Sequence, residues 1–294
     1  MSLLLWLRVA FILLLVAANT LLHAVPLLAV GVVKALLPLG AVRRACNPLL
    51  TGLAESWIAV NSAMIDAFTG TRLQVEDAPG LQRDGHYLVL ANHQSWVDIP
   101  VLQKVFNRRI PLLRFFLKSQ LFWVPLLGLA WWALDFPFMK RYSRQELAKR
   151  PELAGRDIAA TRRACEKFRH IPVSVMNFVE GTRFTPAKHA RQASPFRHLL
   201  KPKAGGVAFV LGAMGEVLQS VVDVTIAYPG GRPTMWQLAT GRVRRVQVKV
   251  RQRPIPDDLV GDYEGDTELR KRTQAWMNGL WAGKDADLED MLQR

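Results

Sequence analysis

The sequence predicts an α/β fold: a mostly parallel sheet flanked by helices, preceded by an N-terminal membrane-embedded helical anchor. Two observations carry this. Residues 1–45 are almost continuously apolar. From Thr71 onward, short β-branched runs alternate with helical stretches, the pattern of a sheet covered on both faces. At 294 residues the chain has ample material for one large core.

The anchor comes first. Leu3 to Leu22 is interrupted only by Arg8, Asn19 and Thr20, and a second apolar stretch, Ala24 to Leu39, follows at once. No Lys or Arg precedes Leu3 and the run is long, so it reads as an uncleaved anchor rather than a signal peptide. His23 and Pro26 divide it into two segments, and both a helical hairpin and a single span satisfy the lengths. Lys34, Arg43 and Arg44 close the anchor, which by the positive-inside rule places the remainder of the chain in the cytoplasm. Residues 46–70 carry Leu49, Leu50, Leu53, Trp57, Val60, Met64 and Phe68 at helical spacing, an amphipathic helix suited to core packing or to a membrane surface.

Residues 71–294 form the α/β domain. Strands are expected at Arg72–Val75, Tyr87–Leu90, Val173–Val179, Val222–Tyr228 and Val243–Arg251, the last alternating as a half-exposed or edge strand should. Ser143-Arg144-Gln145-Glu146 is a capping box, Pro151 restarts a helix toward Phe168, and Gly205–Met214 and Thr267–Ala282 are further helices. Phe115 to Leu134 is apolar enough to span, but Lys118 and Pro125 interrupt it. It reads as a buried or bilayer-resting segment lining an apolar pocket.

Composition narrows the function classes. Lys and Arg number 39 against 24 Asp and Glu, a net charge of +15, which favours anionic partners. No zinc-finger spacing or aromatic RNA-binding signature accompanies the charge, so membrane lipid with a phosphorylated ligand fits better than nucleic acid. Cys46 and Cys165 are far apart and in no motif, arguing against a disulfide framework. His23, His86, His170, His189 and His198 show no ligand spacing and His93 is otherwise engaged, so no metal site is expected.

Two clusters carry chemistry. His93 and Asp98 lie beyond the Tyr87–Leu90 strand, a candidate base and the carboxylate that would fix its tautomer. Glu180-Gly181-Thr182-Arg183 ends the Val173 strand and supplies a guanidinium fork and a hydroxyl suited to phosphate. Arg141, after Phe138-Met139-Lys140, and Lys203, at the start of a helix, are further anion contacts. Cys165 has no motif partner and there is no Gly-x-Ser-x-Gly elbow, so no side-chain nucleophile is expected.

Taken in order, Asn92-His93-x-Ser95-x-x-Asp98, Phe138-Met139-Lys140-Arg141, Phe178-x-Glu180-Gly181-Thr182-Arg183 and Val224-Thr225-Ile226-Ala227-Tyr228-Pro229 resemble the four blocks of the glycerophospholipid acyltransferases, in the bacterial inner-membrane branch. Two departures stand out: Asp135 where the second block usually opens with Gly, and Pro229 between Tyr228 and Gly230 rather than between aliphatics. The resemblance implies a membrane-bound enzyme, its catalytic domain on the cytoplasmic side of the inner membrane. It would move an acyl group from acyl-CoA or acyl carrier protein to the sn-2 hydroxyl of 1-acylglycerol-3-phosphate, with no cofactor. His93 and Asp98 would be catalytic. Arg183, Thr182 and Arg141 would hold the acceptor phosphate, and Glu180 would position the glycerol or the Arg. Another lysophospholipid acceptor, such as lysophosphatidylglycerol or lysocardiolipin, needs the same residues. Thioester hydrolysis or a non-catalytic lipid-binding role would leave Arg183, or the His93–Asp98 pair, without a task.

Overall fold

A computed structural model describes residues 3–78, 80–139, 150, 165–166, 168, 171–263 and 265–293. The expected capping box at 143–146, the helix begun at Pro151 and Arg141 lie outside the described residues.

Helix α1 (Leu3–Leu36) runs unbroken through Pro26. The apolar stretches thus form one helix, and the chain turns at residues 37–39, before α2 (Gly40–Thr69). The point 45/46, where the sequence divides anchor from amphipathic helix, falls inside α2. The two helices pack on each other as a hairpin. Gly70, with φ of 63°, ends α2 in the left-handed conformation that glycine adopts without steric cost.

Among the described residues eight strands follow: β1 (Arg72–Glu76), β2 (His86–Ala91), β3 (Leu113–Phe115), β4 (Leu117–Lys118), β5 (Phe138–Met139), β6 (Val173–Phe178), β7 (Ser220–Ala227) and β8 (Arg245–Arg253). Six make one sheet in the order β1-β8-β7-β2-β6-β3, parallel at every pairing except β7–β8, while β4 and β5 pair separately. The mostly parallel sheet is as the sequence predicts. β8 is not an edge strand, because β1 pairs with it in parallel; its alternation instead records one face turned to the core.

Central β7 is buried at every position, as a strand covered on both faces must be. One sheet face packs with α6 (Ala204–Met214) and α8 (Thr267–Gln293), the other with α3 (Asp98–Phe106). α8 extends well past the expected Ala282. From it Lys284 reaches the core, where its ammonium donates to Asp223 Oδ1 at 2.6 Å and to the Val224 carbonyl at 2.6 Å. Arg253 takes the other Asp223 oxygen at 3.0 Å. The described residues also form a short helix α5 (Pro186–Gln192) and α7 (Met235–Ala239), the latter capped by Thr234 and Gln237.

The apolar run 115–134 is broken into β4, a 3-10 turn at Ser119–Trp123, and α4 (Leu127–Ala133). Pro125 and Leu126, the latter at φ 62°, make the break. Gly128 secures it, since a Cβ there would overlap the Phe122 carbonyl. α4 docks on α1, where the absent side chain of Gly31 leaves room for Ala133, and Lys34 pairs with Asp135.

Candidate active site

Parallel pairing of β2 with β6 sets Ala91 opposite Phe178. The loops leaving both strands therefore emerge side by side at the carboxyl edge of the sheet, where open α/β folds gather their ligands. His93 and Glu180 stand two residues beyond that register.

Asn92 fixes the first loop. Its amide donates to the Ile226 carbonyl and accepts from the Ile226 N–H, both at 2.9 Å, tying β2 to the end of β7. Asp98 opens α3 and is fully buried. Its Oδ2 accepts from His93 Nδ1 at 2.8 Å and from the backbone N–H groups of Gln94 and Ser95 at 2.7 and 2.9 Å. Its Oδ1 accepts from the Tyr228 hydroxyl at 2.6 Å. With Nδ1 donating to Asp98, the imidazole is held in the tautomer whose Nε2 carries the free lone pair. The ring stacks on Phe178, centroids 3.9 Å apart and planes within 12°.

The second loop turns at Gly181, φ 68°. Glu180 is expected to position the glycerol or the Arg; the structure instead places its carboxylate away from open space, on the backbone of the two loops. It is fully buried, with Oε1 accepting the His93 N–H and Oε2 the Leu200 N–H, each at 3.2 Å. It holds the two loops together. Burial pushes its carboxyl up to about 8; the backbone donors and Lys284 pull down, while the charge of Asp98 adds to the rise.

Arg183 lies over Trp96, 4.3 Å from the ring centroid. Thr182 Oγ1 accepts from Lys188 Nζ at 2.7 Å, and that ammonium also donates to the Arg183 carbonyl. Lys203 donates its backbone N–H to Val179 at 3.0 Å and runs beside Gly181, where a Cβ would come within 3.3 Å of Nζ. The structure thus gathers His93, Asp98, Glu180, Gly181, Thr182, Arg183 and Lys203.

It adds Tyr228, Phe178, Lys188 and Arg232, which sequence reasoning does not assign. Arg232 bonds Gln94 Oε1 and lies over Phe184. Of these Tyr228 and Phe178 have a signal, their places in the fourth and third blocks.

An apolar cavity of about 890 Å³ opens at His93, Trp96, Thr182 and Arg183. It continues between the hairpin and the domain, lined by Val9 to Leu27 of α1, Ile58 of α2, Leu112, and Ala130 and Leu134 of the broken segment. Cys165 is no nucleophile: it is fully buried, and burial together with the charge of Glu166 pushes its thiol up to about 12.

The arrangement is an imidazole held in one tautomer and able to accept a proton, a guanidinium and a hydroxyl beside it, and an apolar cavity behind. A family model described as Acyltransferase matches residues 72–229, a range that holds His93, Asp98, Thr182 and Arg183. Among curated relatives, 1-acyl-sn-glycerol-3-phosphate acyltransferase delta of Homo sapiens is 25% identical over 217 residues, 69% of this chain and 52% of the relative. The gamma enzyme of Mus musculus is 24% identical over 223 residues, 71% and 54%. The chain spans about half the length of the curated relatives it matches. A solved structure, the 1-acyl-sn-glycerophosphate (LPA) acyltransferase PlsC of Thermotoga maritima, is 18% identical at a TM-score of 0.43, covering 90% of this chain and 98% of that one. On the family match over more than half its length, the chain belongs to the glycerophospholipid acyltransferases.

Proposed function

We propose that this protein is a membrane-bound O-acyltransferase that moves a fatty-acyl group from an acyl thioester, acyl-CoA or acyl carrier protein, to the sn-2 hydroxyl of 1-acylglycerol-3-phosphate. The observation that carries the reading is His93, oriented by Asp98, at the mouth of an apolar cavity whose rim holds Arg183 and Thr182. His93 Nε2 takes the proton of the acceptor hydroxyl as that oxygen attacks the thioester carbonyl. The C–O bond forms, the tetrahedral intermediate expels the thiolate, and the imidazolium returns the proton to sulfur. Asp98 stabilises the imidazolium between these steps. Such a base contributes roughly 10²- to 10⁴-fold. Arg183 and Thr182 hold the acceptor phosphate, with Arg141 and Lys203 assisting. The cavity shelters acyl chain.

We further propose that the hairpin lies in the cytoplasmic leaflet of the inner membrane. α1 is long and apolar enough to cross a bilayer. Yet Trp6 packs on Trp236 and Lys34 bonds the Ala133 carbonyl, so both ends of α1 touch the α/β body. Those ends are about 42 Å apart at 1.5 Å per residue, more than the roughly 30 Å hydrocarbon core. Crossing would pull one end from its contacts. Leu14, Leu22, Leu36 and Trp123 are exposed and available to lipid.

The test is acyl transfer by detergent-purified protein and its His93→Ala variant, with labelled oleoyl-CoA or acylated carrier protein and a panel of lysophospholipids. Product from 1-acylglycerol-3-phosphate that vanishes with His93→Ala supports the reading. Preference for another lysophospholipid reassigns the acceptor, and thioester loss without lipid product points to a hydrolase. Cysteines placed at Leu3 and Leu37 should react with an impermeant reagent from one side only; labelling from opposite sides would mean a span.

A further inference from the structure

The fourth block departs from its usual form at Tyr228-Pro229-Gly230, and the proposed reaction leaves this tyrosine unused. We propose that Tyr228 is a positioning residue of the catalytic pair: through Asp98 Oδ1 it sets the plane and the charge distribution of the carboxylate that orients His93. The inference rests on the acyl-transfer reading, in which His93 is the base.

The geometry is specific. Tyr228 is 4% exposed and its hydroxyl donates to Oδ1 at 2.6 Å, while Oδ2 receives the imidazole and two backbone N–H groups. Among the described residues the tyrosine is the protein partner of Oδ1, so its loss removes the bond that holds that oxygen in place. Burial, and then the charge of Asp98, raise the phenol well above its ordinary value, which keeps it a donor. Its position is tied to the base loop itself: two residues upstream, Ile226 is held by both polar atoms of Asn92, the neighbour of His93. One loop thus fixes the base, the carboxylate and the strand end that delivers the phenol.

Removing the hydroxyl without the ring leaves more negative charge available to the imidazolium and frees the carboxylate to rotate. The first effect makes the proton on His93 harder to remove, so the acid limb of the pH–rate profile moves to higher pH. The second lowers the plateau. The other titratable and charged groups around the pair are Glu180 at the His93 N–H, Arg183 on Trp96, Arg232 on Gln94, and Lys203 beside Gly181. None of them contacts Oδ1, so all remain in place in Tyr228→Phe.

The experiment compares full-length wild type, Tyr228→Phe, Asp98→Asn and the double variant in detergent micelles, with oleoyl-CoA and whichever lysophospholipid the wild type accepts. The expected result for Tyr228→Phe is a loss of about tenfold in kcat, the scale of one hydrogen bond to a charged group. KM for the acceptor should be unchanged, and the acid limb raised. In the Asp98→Asn background the same change should cost less than twofold, because coupled sites are not additive. The His93 ring signals, assigned by their loss in His93→Ala, should titrate at higher pH in Tyr228→Phe. That readout needs no turnover and separates failure of this inference from failure of the acyl-transfer reading. An unmoved titration of His93, or an equal loss in the Asp98→Asn background, would overturn the role. A raised acceptor KM with an unmoved acid limb would do so too.

Discussion

Replacing Asp98 by asparagine tests the base most directly, because the surroundings dictate how the amide must sit. Three donors converge on the Oδ2 position: the imidazole Nδ1–H and the N–H groups of Gln94 and Ser95. An amide nitrogen there would face all three, so the amide oxygen takes that position and the NH₂ faces Tyr228, whose hydroxyl can turn to accept. The tautomer of His93 is preserved and only the charge is lost. At a charge separation of about 4 Å and an effective dielectric of about 20, that charge stabilises the imidazolium by about 4 kcal/mol. Since the charge is only partly developed in the transition state, kcat should fall about 10²- to 10³-fold, with acceptor KM changed less than threefold. Initial rates across the pH range would measure this, with near-ultraviolet circular dichroism confirming the fold. A fall of less than fivefold in a folded protein would mean that the carboxylate does not act on the reacting imidazole.

Arg183→Ala should raise the acceptor KM about 10- to 100-fold, the worth of charge-assisted bonds to phosphate, and leave donor KM within threefold; equal effects on both would remove the phosphate assignment. Among the described residues Lys284→Ala leaves the buried Asp223 carboxylate with Arg253 as its ion-pair partner, and should cost about 3 kcal/mol in urea unfolding; adding Asp223→Asn should recover most of it. Glu180 carries a pH signature. Its folded value of about 8 lies above the ordinary 4.5, so between those limits the native state holds a proton that the unfolded chain has released. Stability therefore falls as pH rises through that window and levels off above it. Relative to Glu180→Gln, the wild-type Tm should decline from pH 5 to 8, and parallel curves would contradict the buried acid.

The legible part of the site is the local part. His93 and Asp98 share one turn, and Glu180 to Arg183 another, so spacing alone brings each pair together. Sequence does not show contacts across long separations: Tyr228 reaches Asp98 over 130 residues, and Leu200 reaches Glu180 over 20. Glu180 resembles a substrate ligand because a polar residue beside Arg183 at a strand end is ordinarily solvated; its burial depends on a loop that no local pattern announces. The sheet is readable because alternation and β-branching persist along each strand. The breaks are not. Pro26 reads as a division, yet packing against α2 and α4 carries α1 through it; in the 115–134 run Lys118 and Pro125 read as interruptions, but the sharp turn at Leu126 has no signal of its own.

The two departures from the family blocks bear on acceptor recognition less than their positions in the sequence suggest. Asp135 has a φ of 59°, a conformation easy for glycine and tolerated by aspartate. The side chain that glycine would lack pairs with Lys34 at the end of α1. Its neighbours Leu134 and Phe136 line the cavity, whereas Asp135 does not. The departure at 135 thus serves docking of the hairpin, and the one at 228 serves the carboxylate behind the base. The contacts described for them, Asp135 with Lys34 and Tyr228 with Asp98, involve neither Thr182 nor Arg183. Substituting Asp135→Gly should therefore loosen α1, seen as a lower Tm, without changing which lysophospholipid is preferred. A switch in acceptor preference would show that the hairpin's seating shapes the headgroup site from a distance.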